Sequence, residues 1–337
     1  MTVEPAQPLL SVRHLSAAYE TGEGTVPAVR DVSFDLFPGE VLALVGESAA
    51  GKTSVAHSIL GLLPQHATLS GEVRFRDRLI SGLSAEELRD VRGEQIAMIF
   101  QDALSSLTPT LSIGEQLVEM FRAHRSLDTV AAHEAALRTL AGVLPDPERI
   151  VDAYPFQLSG GMAQRVMIAM ATALRPSVII ADEATANLDP AVRLETLARI
   201  EAQRDAGAGI LLITHDFGVV ARLADRVAVM YAGAIVERGD VVTVFRRPRH
   251  PYTYGLLQSL PSLQRRDTRL EPMRGQPPDL ATLGEECPFL PRCSKAVSQC
   301  RLEPAPALAA TETGVEGHEA ACFNPVVIDR QEEPPAD

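Results

Sequence analysis

Residues Gly46-Glu47-Ser48-Ala49-Ala50-Gly51-Lys52-Thr53 follow the apolar run Val41-Leu42-Ala43-Leu44-Val45 and stand in the order G-x-x-x-x-G-K-[ST]. Phosphate oxygens are held best by several backbone N–H groups aimed at one point. A tight loop that opens a helix supplies them, with the helix dipole behind. Gly46 and Gly51 permit a backbone approach that a side chain would obstruct. Lys52 is expected to reach the β and γ phosphates of a nucleotide and the Thr53 hydroxyl to bind Mg²⁺, with Ser54 completing the cradle. A second acidic element is Val178-Ile179-Ile180-Ala181-Asp182-Glu183, an apolar strand ending in two carboxylates. Neighbouring strand residues point to opposite faces, so the two acids can do different work. Asp182 suits the Mg²⁺ shell, and Glu183 suits orienting and deprotonating a water for in-line attack. Read alone, such a pair is a solvated turn; beside a phosphate loop it is a candidate for catalysis.

Leu158-Ser159-Gly160-Gly161-Met162 precedes the helical run 163–174 and offers another helix N-terminus with small residues, a second anion site. As structure alone, Ser-Gly-Gly is an N-cap and turn. The four cysteines, Cys287, Cys293, Cys300 and Cys322, are separated by five, six and twenty-one residues and all lie near the C-terminus. If the chain that carries this phosphate loop is cytosolic, the distribution suits a metal site better than a disulfide framework. Four thiolates fit tetrahedral Zn²⁺ or an iron–sulfur cluster, the gaps being longer than those of most zinc modules. Four free thiols are the remaining reading.

The elements that would position these groups follow from pattern. Over 9–80, short β-prone runs at Leu9–Leu15, Val32–Leu36, Val41–Val45 and Glu72–Phe75 are interrupted by one helix, about Lys52–Leu63. From Ser84 to about residue 158 the pattern predicts a mainly helical insertion, with S-x-x-E capping boxes at Ser84 and Ser112. Strand and helix then alternate: 178–181, a helix opened by Asp189-Pro190, 210–214, a short helix, and 226–230. The expected fold is α/β, a parallel-sheet nucleotide core at 9–260 with a helical subdomain at about 84–158. Beyond 261 the Pro-, Arg- and Glu-rich texture predicts a separate appendage over 261–328 that lies beyond every nucleotide motif. A disordered acidic tail is expected at 329–337.

At 337 residues and 46% hydrophobic content the chain can bury a sizeable core. A net charge of −13 with 4% aromatic residues and no Trp argues against nucleic acid as a partner and against a membrane belt. No apolar run approaches the ~18–20 residues that span a bilayer. Met1–Pro8 carries Glu4 and no basic residue, unlike a secretory signal, so the cytosol is the expected compartment.

In order along the chain, the phosphate loop, Gln101, Leu158-Ser159-Gly160-Gly161, Asp182-Glu183 and His215 resemble the ATP-binding subunit of ABC transporters over residues 9–245. The resemblance implies the P-loop ABC ATPase fold with an antiparallel β subdomain and a head-to-tail dimer. In it ATP lies between the phosphate loop of one subunit and the Ser159-Gly160-Gly161 equivalent of the other. It further implies that Tyr19 stacks on adenine and that Gln101 links metal and water to the helical subdomain. Asp189 would communicate across the dimer, and His215 would bond the γ-phosphate. The family usually has Gly at the position of Ala49 and Pro at that of Ala184, and Ala163 and Asn187 also depart from its pattern. A positive φ at Ala49 would cost about 1 kcal/mol.

His250-Pro251-Tyr252-Thr253 and Glu286-Cys287-Pro288-Phe289-Leu290-Pro291-Arg292-Cys293 resemble the C-terminal extension of the oligopeptide/dipeptide importer ATPases. That resemblance implies a small metal-binding extension holding a 4Fe-4S cluster on the four cysteines, Zn²⁺ being the alternative. It also implies a second ABC ATPase subunit, two membrane permeases and, indirectly, an extracytoplasmic binding protein, with this chain at the cytoplasmic face of the membrane. Related systems carry nickel chelates, opines or sugars. Two other readings are a non-transport ABC ATPase acting on ribosomes or DNA and a regulator that binds ATP without hydrolysing it. The single phosphate loop argues against the former, and Glu183 with His215 against the latter.

Overall fold

The computed structural model describes residues 7–22, 24–186, 188–260, 273–312 and 314–328. Asn187 and the acidic segment 329–337 lie outside them. Strands β1 (Leu10–Thr21), β2 (Gly24–Leu36), β4 (Ala67–Phe75) and β5 (Arg78–Leu79) form an antiparallel sheet in the order β2-β1-β4-β5. β1 runs well past Leu15, where the sequence pattern stops. Its pairing with β2 shifts register between Val12 and Ala18, and such irregularities destroy the period-two alternation from which a strand is read.

The second sheet carries β3 (Val41–Val45), β6 (Ile96–Ile99), β7 (Val178–Asp182), β8 (Gly209–Thr214) and β9 (Arg226–Tyr231) in parallel, ordered β9-β3-β8-β7-β6. β3 is buried throughout and alternates between two cores. Val41, Ala43 and Val45 join the core under the helices, while Leu42 and Leu44 join the core under the antiparallel sheet. Helix α1 (Lys52–Leu60) leaves β3 through the phosphate loop.

The stretch read as mainly helical holds α2 (Ala85–Arg89), α3 (Ala103–Ser106), α4 (Ile113–His124), α5 (Thr129–Ala141) and α6 (Pro147–Val151), followed by α7 (Gly160–Ala173). Both capping boxes form: Ser84 with Glu87 at the head of α2 and Ser112 with Glu115 at the head of α4. β6 lies inside this stretch and joins the parallel sheet; four buried apolar residues in a row look alike as strand or helix. Then come α8 (Pro190–Asp205), capped by Asp189 with Pro190 at its first position, and α9 (Phe217–Leu223), capped by Asp216.

Strand β10 (Ala234–Asp240) pairs antiparallel with β9, and α10 (Val241–Arg246), α11 (Pro251–Gln258) and α12 (Gln299–Leu302) follow. The C-terminal region is not a separate appendage. Its strands β11 (Ala309–Ala310) and β12 (Glu319–Ala320) extend the parallel sheet at the β10 edge. Glu237 on β10 is fully buried and accepts from the backbone N–H groups of Arg249 and His250 (2.7 and 2.8 Å) and pairs with His318 Nε2 (2.8 Å). A buried carboxylate is tolerable only when saturated with donors, and here the donors are drawn from both sides of the junction.

Candidate functional site

The parallel register brings the chemistry together. Val45 pairs with Thr214 and Val229, Asp182 with Ile213, and Ile99 with Ala181, so β3, β6, β7 and β8 end along one edge. The phosphate loop, Gln101, Asp182-Glu183 and His215 all follow those carboxyl ends, the usual place for ligands in such sheets. Gly46 and Gly51 are required as glycine: their φ values are 157° and 99°, and a Cβ would come within 2.3 Å of the Met230 carbonyl oxygen and 2.2 Å of the Ala28 carbonyl oxygen. Ala49 does adopt a positive φ, 64°, so the strain tied to its departure from glycine is present.

Lys52 is buried and donates from Nζ to the carbonyls of Gly46 (2.8 Å) and Glu47 (3.0 Å). Burial lowers its pKa, against the carboxylates of Glu183, Asp182 and Glu47, which raise it. Asp182 is 1% exposed, and its Oδ1 is buried with no hydrogen-bond partner. Burial raises the Asp182 pKa, the Thr53 hydroxyl opposes, Glu183 adds to the rise, and His57 and Lys52 oppose it. An orphaned carboxylate oxygen beside a hydroxyl is the donor set a small oxygen-seeking cation needs, so Asp182 and Thr53 fit Mg²⁺. Glu183 sits at φ 49°, turned out of the strand, and His215 Nδ1 lies 2.8 Å from its Oε1. His215 is exposed while the Glu183 side chain is only 11% exposed, so the imidazole covers the carboxylate.

Ser159 caps α7, its hydroxyl accepting from the Met162 N–H at 3.3 Å, and both Ser159 and Gly160 are exposed. Gln164, one turn on, was not anticipated. It is buried and donates to the Ala184 carbonyl at 2.8 Å, tying α7 to the turn after Glu183. Asp189 accepts from Ala191 and Val192 N–H at the head of α8. Gln101 is exposed at the end of β6. The Tyr19 hydroxyl is 3.0 Å from Ser54 Oγ, which sets the ring beside the start of α1, near His66 at 6.5 Å between centroids.

The ABC transporter family model matches residues 29–186, and the model described as oligopeptide/dipeptide transporter, C-terminal region, matches 236–300, starting upstream of the change in texture at 261. A dipeptide transport ATP-binding protein, DppD, of Bacillus subtilis is 45% identical over 296 residues, covering 87% of this chain and 88% of the relative. The oligopeptide transport ATP-binding protein OppD of Salmonella typhimurium is 42% identical over 325 residues, covering 96% of each. The chain belongs to the ATP-binding subunits of the oligopeptide/dipeptide ABC transporters. Its ATPase core also resembles a solved dimeric ATP-binding cassette in a post-hydrolysis state bound to ADP and Pi. That likeness has a TM-score of 0.61 and 27% identity, and covers 69% of this chain and 98% of the other. The family assignment makes this chain an ATPase.

The family's C-terminal region holds two groups that the sequence did not assign to the nucleotide site. Arg292 forms a two-pronged ion pair with Glu47 of the phosphate loop, Nη1–Oε2 at 2.7 Å and Nη2–Oε1 at 2.9 Å, and the Tyr252 hydroxyl accepts from the Glu47 N–H at 2.8 Å. Both residues stand in stretches that carried the resemblance. Pattern cannot disclose a partner 245 residues away. The expected metal-binding role of the region is not supported: among the described residues, no group of three or more His, Cys, Asp or Glu could hold a metal ion. Cys287, Cys293, Cys300 and Cys322 do line one cavity of about 20 Å³ with His250, Phe289 and Phe323. With no metal bound, burial raises the Cys287 and Cys293 thiols and pushes Cys322 up to about 11. A single zinc ion does not fit them as placed.

Proposed function

We propose that this chain drives the import of short peptides by binding ATP at its own phosphate loop and completing the site with the Ser159-Gly160-Gly161 segment of a partner ATPase. What carries the reading is the gathering of Lys52, Asp182, Glu183 and His215 at one sheet edge, in a chain whose relatives are peptide transport ATP-binding proteins. The backbone N–H groups between Gly46 and Thr53, backed by α1, hold the β and γ phosphates, and Lys52 turns from the Gly46 and Glu47 carbonyls to them. Tyr19 supports adenine, and Ser48, Ala49, Ala50 and Ser54 complete the cradle. Thr53 and Asp182, with Gln101 in reach of the same edge, would hold Mg²⁺, which when bound offsets charge on the phosphate oxygens. Glu183 takes a proton from the attacking water, and His215, held by that carboxylate, donates to the γ-phosphate.

The exposed Ser159 and Gly160 at the head of α7 give the partner's γ-phosphate a second set of donors, and Asp189, which caps α8, would communicate across the same interface. Two permeases would couple closure to transport, and a binding protein outside the membrane would deliver the peptide. No helix among the described residues is long and apolar enough to cross a membrane, which agrees with a peripheral seat on the permeases at the cytoplasmic face. The test is affinity purification of the tagged chain from membranes, followed by ATPase assay in proteoliposomes with the binding protein and peptide. Co-purified permeases and peptide-stimulated turnover are expected. Ribosomal proteins or DNA in the eluate would favour the non-transport reading, and stimulation by nickel chelates, opines or sugars alone would change the cargo.

For the C-terminal region we infer a 4Fe-4S cluster on Cys287, Cys293, Cys300 and Cys322. Supporting it are the resemblance of the cysteine stretch and the position of all four thiols around one cavity, where each of the other three weighs on Cys322. A cluster takes one thiolate on each of four irons and does not need the thiols to meet at one point. Protein purified without oxygen should be brown, with iron and sulfide in equal amounts. Colourless protein with one zinc, or with no metal, would end this inference.

A further inference from the structure

We propose that Arg292 is a positioning residue for ATP: from the C-terminal region it pins Glu47, holds the phosphate loop in its nucleotide-ready shape, and cancels a carboxylate that would otherwise repel the triphosphate. This deepens the nucleotide-site reading above and rests on it. The Arg292 side chain is 4% exposed and that of Glu47 27%. Its guanidinium is fixed on every side. Nε donates to the Arg274 carbonyl at 3.0 Å, Nη1 also reaches the Tyr231 hydroxyl at 3.3 Å, and the plane stands over the rings of Tyr231 and Phe289 at 5.7 and 5.8 Å. A planar fork that meets both carboxylate oxygens in this way specifies orientation as well as charge.

The carboxylate it holds belongs to the first variable position of the phosphate loop. The Glu47 N–H is committed to the Tyr252 hydroxyl, and its carbonyl accepts from Lys52 Nζ. Tyr252, Tyr231 and Phe289 pack on one another, with centroids 4.5 to 5.5 Å apart, so the grip is one aromatic block reaching from the sheet into the C-terminal region. Arg292 itself rides on a compact turn, in which Leu290 N–H donates to the Cys287 carbonyl and Arg292 N–H to that of Phe289. Freed from Arg292, the Glu47 carboxylate would stand beside Lys52, compete for that ammonium and oppose a triphosphate a few ångströms away.

The experiment measures ATP KM and kcat in the purified transporter for Arg292→Gln, Glu47→Gln with Arg292→Gln, and Lys52→Ala, with thermal melting as the check of folding. Arg292→Gln should raise KM about tenfold while kcat changes less than about twofold. Adding Glu47→Gln should bring KM back to within about threefold of wild type, since the unpaired charge is gone. An unchanged KM in folded Arg292→Gln overturns the proposal. So does a double variant no better than the single one, which would make the contact merely structural. If Arg292→Gln does not fold, Arg292→Lys is read instead. It keeps stem and charge but loses the fork, and should raise KM about threefold; no rise overturns the proposal. Lys52→Ala separates the two readings: if it leaves ATP binding intact, the nucleotide site itself is misplaced, whereas loss there with no effect at Arg292 sinks this inference alone.

Discussion

At the head of α1 the phosphate loop is enclosed by its own chain. Lys52 is buried among three carboxylates, Glu47 is gripped from the C-terminal region, and a Cβ on Gly46 or Gly51 would strike backbone. At the head of α7 the same kind of helix N-terminus is bare: Ser159 and Gly160 are exposed, and a Cβ on Gly160 would meet nothing within 4 Å. Both ends offer N–H groups to an anion, yet one is shaped from behind and the other has space in front of it. On the proposed reading, the difference lets the first recognise a nucleotide alone, while the second would meet a ligand carried by another subunit. Gln164 links the two, because its bond to the Ala184 carbonyl makes the start of α7 part of the turn that carries Glu183.

The comparison breaks most visibly at the enclosed end. Lys52→Ala should abolish hydrolysis and weaken ATP binding by at least about a hundredfold, since it removes the ammonium proposed to hold the β and γ phosphates; binding within a few-fold of wild type by equilibrium titration would contradict the role. Glu183→Gln should lower kcat by roughly 10²–10⁴ while ATP still binds and the closed dimer accumulates. Equal loss of binding in both variants would remove the distinction between phosphate grip and base.

Gln164→Leu sharpens the link between the two ends. It leaves the buried Ala184 carbonyl unpaired, a cost of about 1–3 kcal/mol, so melting should fall by several degrees and kcat should drop more than ATP affinity. An unaltered melting temperature would mean that the helix and the turn are held together elsewhere. The smallest effect is expected from Ala49→Gly. Glycine relieves about 1 kcal/mol at φ 64° but adds about 0.4–1 kcal/mol of unfolded-chain entropy, so stability should stay within about 0.5 kcal/mol of wild type. A large change in either direction in thermal melts would show that the alanine does something beyond tolerating its angle.

Much of this was legible because short-range rules governed it. The phosphate loop, both capping boxes and the Asp189-Pro190 helix start are written in neighbouring residues, and the structure forms each of them. β6 escaped because a four-residue apolar strand carries no period, and the reach of β1 to Thr21 escaped because its register shifts erase alternation. The attachment of the C-terminal region escaped for a different reason. Arg292 with Glu47, and Glu237 with His318, are pairings across long sequence distances, and nothing local to either partner encodes the other. The cysteines show the limit from the other side: their spacing invites a metal and the fold gathers all four around one cavity, but spacing alone does not say which metal they take.

The most direct test of the contrast between the two helix ends is ATP binding by the isolated subunit, measured side by side for Lys52→Ala and Ser159→Arg, with turnover measured in the assembled transporter. Ser159→Arg should bind ATP in isolation as the wild type does, and Lys52→Ala should not, while the assembled transporter loses hydrolysis at the composite site each variant enters. If Ser159→Arg loses ATP binding in the isolated subunit as completely as Lys52→Ala, the head of α7 serves its own chain's nucleotide, and the assignment of one end to each subunit is wrong.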